Sequence, residues 1–289
     1  NKKDSLSYKA VAVPHDWMIS DTNALYRNSV GFYKNTFTLD SVKNRHIALR
    51  FEGVYMNSGV WVNGKLAGIC HYGYSTFEYD ISDFVVAGEN SVEVIVVYQS
   101  PNTRWYSGAG IFRDVWLINT ASDFLVSDGT YVRVKPVAGE ENVLSKGGDW
   151  NLKVSAEVAL ANGVDGIQVC HTILKKDGTE VMSFDGGKIC AFTKEERDYA
   201  SKNFWDVQGR CLYKCEWEVV GENPLIWDVN APNLYVLETK LMSGSECVDL
   251  CRQNLGFRTF RFDKDQGFFL NGRHRQMRGV CLHHDLGLF

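Results

Sequence analysis

A chain of 289 residues, 45% hydrophobic and 23% charged, has a globular composition and is long enough for two ordinary domains. Its formal charge of −4 gives no electrostatic footprint for nucleic acid or an anionic membrane surface, and no apolar run approaches the roughly 20 residues of a bilayer span. Eight cysteines without a CxxC pair argue against a zinc ribbon or a disulfide-dense small domain, so Cys211/Cys215 and Cys247/Cys251 read mostly as free thiols.

Asn1-Lys2-Lys3-Asp4-Ser5 is not followed by an apolar signal core, and an export signal removed earlier would leave no trace, so cytoplasm and periplasm both stay open. Val13-Pro14-His15-Asp16-Trp17 is an extended segment in which a His and an Asp invite a catalytic reading. Without a nucleophile beside them the pair is weak, and a structural edge with Trp17 tucked into a core is favoured. From Val30 the pattern turns to strands, first over 31–39 and then over 45–51 after a polar turn. Residues 58–68 read as a hairpin, because Asn63-Gly64 supplies the two φ > 0 positions of a type I′ turn between apolar arms. Strands over 77–81 and 91–98 follow, the second after the turn Ala87-Gly88-Glu89-Asn90. Strands recurring about every ten residues, with no amphipathic helical period, are the signature of a sandwich or jelly roll.

Residues 100–113 interrupt that pattern with polar, aromatic and Gly residues together. The loop reads equally as a surface offering a sugar a stacking face and planar hydrogen bonds, or as a tight connection whose Trp105 and Tyr106 anchor a core. Ala121-Ser122-Asp123 resembles a linker, and a second β series begins at Val126, with strands over 130–135, 150–160, 167–175, 211–219 and 234–242. About seven short strands fit an immunoglobulin-like sandwich with one long insertion. Residues 193–203 are polar and read as a helical turn or a loose loop, and no metal or nucleophile constellation stands out in this half.

The last stretch, 267–289, starts with a second hairpin signal at Asn271-Gly272, with a return arm over 273–277. Residues 276–282 then form a short apolar run ending in His283-His284-Asp285. A buried parallel strand reads this way when it delivers polar side chains to its C-terminal mouth, which in a β/α barrel is where chemistry sits. A metal cluster is disfavoured because adjacent histidines on a strand point to opposite faces, and a solvated polar turn is the plain alternative.

Taken together, Pro14-His15-Asp16-Trp17, Gly31-Phe32-Tyr33, Trp61-Val62-Asn63-Gly64, Gly88-Glu89-Asn90, the run 104–113, Trp227-Asp228 with Leu234-Tyr235, Gly256-Phe257-Arg258, and Arg278-Gly279-Val280 with His283 and Asp285 closely resemble glycoside hydrolase family 2. Within it the chain looks most like the β-galactosidases. The resemblance implies an all-β fold: a jelly-roll sugar-binding domain over 1–121, an immunoglobulin-like domain over 122–260, and over 261–289 the first strand of a (β/α)8 catalytic barrel. A barrel takes on the order of 250 residues, so the family's two catalytic glutamates have no counterpart here and no catalytic residue is assigned. The resemblance further implies that His283 hydrogen-bonds the sugar, that Asp285 shapes the loop or pocket wall beside it, and that Asn102 and Arg104 reach over the barrel mouth toward substrate. The partner implied is a β-galactoside, with no nucleic acid, membrane, metal or cofactor, and with homo-oligomerisation of the full-length protein left open. A non-catalytic carbohydrate-binding module, or a glucuronidase or mannosidase of the same family, is the alternative. A self-contained module has no use for the apolar run 276–282.

Overall fold

The computed structural model describes residues 7–19, 23, 26–102, 108–139, 147–203 and 211–281, and every structural statement below concerns those residues. The chain divides into two compact units, the change falling between Asn119 and Thr120.

The first unit carries β1 (Ser29–Leu39), β2 (Arg45–Phe51), β3 (Val54–Tyr55), β4 (Ser58–Val62), β5 (Lys65–Cys70), β6 (Phe77–Asp80), β7 (Gly88–Tyr98), β8 (Gly110–Ile111) and β9 (Val115–Ala121). They form a sheet in the order β1-β7-β4-β5, a second in the order β6-β2-β9, and the small pair β3-β8. Alternation sends Ile47, Leu49 and Phe51 of β2 and Val60, Val62, Val94 and Val96 of β4 and β7 into one shared core. Burying each such side chain contributes about 1.5–3 kcal/mol before entropy is counted.

The predicted β4-β5 hairpin forms, with Asn63 at φ 48° and Gly64 at φ 77°. Asn63 does more than turn the chain. Its Nδ2 donates to the Phe84 carbonyl and to Asn90 Oδ1, and its Oδ1 accepts from Ser91 N–H. Asn90, 1% exposed, in turn accepts from Val86 N–H and donates to the carbonyls of Val86 and Gly88. Two stretches that read as ordinary turns are thus knotted to each other.

The second unit carries β10 (Phe124–Pro136), β11 (Trp150–Leu160), β12 (Ile167–Lys175), β13 (Glu180–Asp185), β14 (Cys190–Ala191), α1 (Lys194–Asn203), β15 (Cys211–Gly221), β16 (Trp227–Asp228), β17 (Ala231–Pro232), β18 (Tyr235–Ser243), β19 (Glu246–Leu255), β20 (Phe260–Asp263), β21 (Gly267–Leu270) and β22 (Arg273–Arg275). Its main sheets run β10-β11-β15-β14 and β13-β12-β18-β19. These orders correspond to A-B-E-D and C′-C-F-G of an immunoglobulin-like sandwich. The polar segment 193–203 resolves as α1, started by a capping box: Thr193 Oγ1 accepts from Glu196 N–H while Glu196 Oε2 accepts from Thr193 N–H.

The apolar strand expected over 276–282 is not seen among the described residues. Residues 276–281 form no strand, Met277 and Val280 are 65% and 84% exposed, and Leu282 lies outside the described residues. A parallel strand draws its hydrogen bonds from neighbours on both sides, and this run pairs with none among the described residues.

One core residue of the second unit sets an acid limit. His171 is fully buried, its Nδ1 meets Thr239 Oγ1 at 3.0 Å, and its Nε2 has no partner. Burial pushes its pKa down to about 4. A His whose folded pKa is depressed contributes stability above its unfolded value and loses it as pH falls toward the folded one. Between neutral pH and pH 5 the loss is about 2 kcal/mol. Glu238, held low by Lys240 and Arg252, adds its own loss only in more acidic solution, while Glu157, raised by burial, works in the opposite sense. Denaturant melts at pH 7.5 and pH 5 are expected to show this drop for the native chain and a much smaller one for His171→Gln; equal drops would exclude His171 as the cause.

Candidate functional site

Of the residues expected to touch substrate, Asn102 is placed by the structure; Arg104, His283 and Asp285, with Trp105 and Tyr106, lie outside the described residues. Asn102 follows the C-terminal end of β7, after a cis peptide at Ser100-Pro101. Ser100 N–H donates to Asn28 Oδ1 at 2.6 Å, and Asn102 Nδ2 donates to the Gln99 carbonyl at 2.6 Å and to Met56 Sδ at 3.1 Å. The carbonyl fixes which end of the amide is the nitrogen, and Oδ1 of this exposed side chain accepts no hydrogen bond among the described residues.

Beneath this rim lies a small aromatic core of Met18, Tyr55, Tyr98, Ala109 and Phe112. Tyr74 meets Tyr55 and Phe112 edge-on, with ring centroids 5.3 and 5.7 Å away. Both ends of the 100–113 loop are therefore anchored in packed rings. Tyr55, Met56, Tyr74 and Asn28 were not singled out from sequence, since an aromatic in a β pattern carries no mark of the loop it supports.

The segment 15–17 lies along 109–111: His15 N–H donates to the Ile111 carbonyl at 2.7 Å and Trp17 N–H to the Ala109 carbonyl at 3.1 Å. Gly110, at φ 140°, makes this possible, because a Cβ there would overlap the His15 carbonyl oxygen and the Tyr33 hydroxyl. Trp17 lies against Gly31, where a Cβ would overlap its ring, and its Nε1 donates to Ser29 Oγ at 3.1 Å. His15 Nδ1 pairs with Tyr33 Oη at 2.9 Å, and Asp16 Oδ1 accepts from Met18 N–H. Burial lowers the His15 pKa and pushes Tyr33 up to about 12. His15 is thus engaged by the Tyr33 hydroxyl, Asp16 by backbone, and Trp17 packs against the core of the first unit.

A second knot, in the other unit, gathers the remaining motifs. Trp227 N–H donates to the Phe257 carbonyl, and Arg258 stacks over the Trp227 ring with its guanidinium carbon 4.7 Å from the centroid. Asn271, 1% exposed and at φ 51°, donates from Nδ2 to the Trp227 carbonyl at 2.9 Å and accepts from Thr259 N–H at 3.0 Å. Arg275 pairs with Asp228 at 2.9 Å. The β20-β21-β22 hairpin, and with it the start of 276–281, is thereby tied to the sandwich. Among the described residues no group of three His, Cys, Asp or Glu side chains could hold a metal ion.

Residues 2–121 match the family described as glycosyl hydrolases family 2, sugar binding domain, and residues 137–258 match the family described as glycosyl hydrolases family 2. The chain is 33% identical to the beta-galactosidase BoGH2A of Bacteroides ovatus, over 97% of its own length and 32% of that protein's. It is 29% identical to a beta-glucuronidase of Bacteroides fragilis, over 96% and 39%. A beta-glycosidase structure from Bacteroides vulgatus superposes with a TM-score of 0.77 at 27% identity, over 100% of this chain and 36% of that one. The chain thus spans about a third of the length of the relatives it matches.

Gly110→Ala is expected to destabilise the first unit by about 2 kcal/mol or more, since either the 15–17 pairing or the His15–Tyr33 contact must give way. A melting midpoint unchanged from the native chain would show that the close approach is not required.

Proposed function

The chain belongs to glycosyl hydrolase family 2, and from that membership we propose that it is the N-terminal portion of a retaining β-galactosidase, in which residues 1–121 form a jelly-roll sugar-binding domain, 122–260 an immunoglobulin-like domain and 261–289 the entry to a (β/α)8 catalytic barrel. The observation that carries this reading is the 33% identity to a beta-galactosidase across 97% of the chain. The glucuronidase reading stays in view because of the 29% identity to a beta-glucuronidase over nearly the same span.

The chemistry proposed for the whole protein is double displacement. One carboxylic acid protonates the leaving oxygen while a carboxylate about 5 Å away forms a glycosyl-enzyme, which water then hydrolyses. No residue of this sequence is assigned either role. Its contribution is to the sugar: His283 and Asp285 at the end of the first barrel strand, and Asn102 and Arg104 from the 100–113 loop. The Asn102 amide has its donor side turned inward, to Gln99 and Met56, so what it offers a sugar hydroxyl is an acceptor.

The full-length protein is expected to hydrolyse chromogenic β-galactoside in preference to the glucuronide and mannoside, and the 289-residue chain to turn over none of them. Preference for the glucuronide or mannoside would contradict the substrate assignment. His283→Ala in the full-length protein is expected to lower kcat/KM by about 10²-fold while changing stability by less than about 1 kcal/mol; intact activity with a collapsed melting midpoint would make His283 structural.

A further inference from the structure

Asn-Gly occurs three times along the chain, at 63–64, 162–163 and 271–272. The dipeptide is chemically labile, because a glycine N–H with no side chain to shield it can attack the carbonyl carbon of the asparagine amide before it. Whether it does so depends on what holds the amide. Asn63 Nδ2 donates to the Phe84 carbonyl at 2.9 Å and to Asn90 Oδ1 at 2.8 Å, and its Oδ1 accepts from Ser91 N–H at 2.9 Å. Asn271, 1% exposed, is held at both ends of its amide by the Trp227 carbonyl and Thr259 N–H. Both asparagines stand in hairpin turns flanked by paired residues, Val62 with Lys65 and Leu270 with Arg273, so closing a ring there would unmake the turn.

Asn162 differs from both. It is exposed in the connection from β11 to β12, which passes from one sheet of the second unit to the other. Among the described residues its amide makes no hydrogen bond, and neither does Gly163 N–H. Gly163, at φ 89°, has open space where a Cβ would stand, which leaves room for a ring to close and for water to reach it. The ends of the connection are fixed instead: Ala161 N–H donates to Asp123 Oδ1 at 2.7 Å, and Gly244 N–H donates to the Gly166 carbonyl at 2.8 Å.

We propose that Asn162-Gly163 is a site of self-modification in the folded chain. Gly163 N bonds to Asn162 Cγ, the Cγ–Nδ2 bond breaks, and the proton of Gly163 N–H departs with the amide nitrogen as ammonia. Water then opens the cyclic imide at either carbonyl, giving an aspartyl or an isoaspartyl linkage with no change of oxidation state. Either product sets a new carboxylate three residues before Asp165. The isoaspartyl product also lengthens the backbone of the connection by one carbon.

The test is to incubate the 289-residue chain at mildly alkaline pH, digest it at acid pH, and follow the three Asn-Gly peptides by mass spectrometry for replacement of NH2 by OH. Conversion at Asn162 is expected to be at least about tenfold faster than at Asn63 or Asn271, where two or more hydrogen bonds must break before attack. In denaturant the three rates should converge, and Asn162→Gln should remove the change from its own peptide alone. Equal rates in the folded chain, or a ranking that survives denaturation, would overturn the proposal.

Discussion

Residues 109–111 can lie against residues 15–17 only because position 110 carries no side chain. Much of the first unit's upper end depends on that approach. It allows the two backbone hydrogen bonds from His15 and Trp17, sets His15 against Tyr33, and places the return of the 100–113 loop beside the aromatic core. Each hydrogen bond contributes only about 1 kcal/mol net, but an orphaned buried partner costs more than the bond contributes. The arrangement is therefore cooperative: losing the approach leaves several polar groups unsatisfied together. It also engages His15 and Asp16 in hydrogen bonds within the fold, to Tyr33 and to Met18 N–H.

Asparagine supplies the other recurring constraint. Asn63, Asn90 and Asn271 each use amide nitrogen and oxygen at once, standing in for backbone where strands end. Aspartate lacks the donor, and glutamine places the same groups one carbon further out, so neither reproduces these contacts. Asn63 and Asn271 also take left-handed backbone, which asparagine tolerates better than branched residues do. Asn102 differs from them: it is exposed, and among the described residues only its nitrogen is engaged. That difference separates a rim residue with an acceptor to offer from knots that are satisfied internally.

Local chemistry explains what could be read in advance. Asn-Gly announces its turn through the φ it permits, and both hairpins stand where their dipeptides lie. Strands β2, β7, β11 and β12 were legible because one face is packed and the alternation is strong. β19 was missed: its cysteines, acids and amides spread polarity over both faces, and its pairing to β18 is a tertiary fact. The two-residue pair β3-β8 and the role of Gly110 were hidden for the same reason, since close approach between distant segments leaves no local mark. The apolar run 276–281 differs from these: its composition suggests a strand, and among the described residues it pairs with no neighbour.

If the two sandwiches and their knots exist to hold a substrate rim and deliver the chain into a catalytic barrel, then the rest of the polypeptide should need them. The most direct measurement is complementation: the remainder of the full-length protein is expressed alone, assayed on β-galactoside, and assayed again after addition of the 289-residue chain. The account predicts that the remainder by itself has a kcat/KM lower by about 10²-fold or more, and that the added chain restores a substantial part of it in a saturable way. A remainder as active alone as the full-length protein would contradict it.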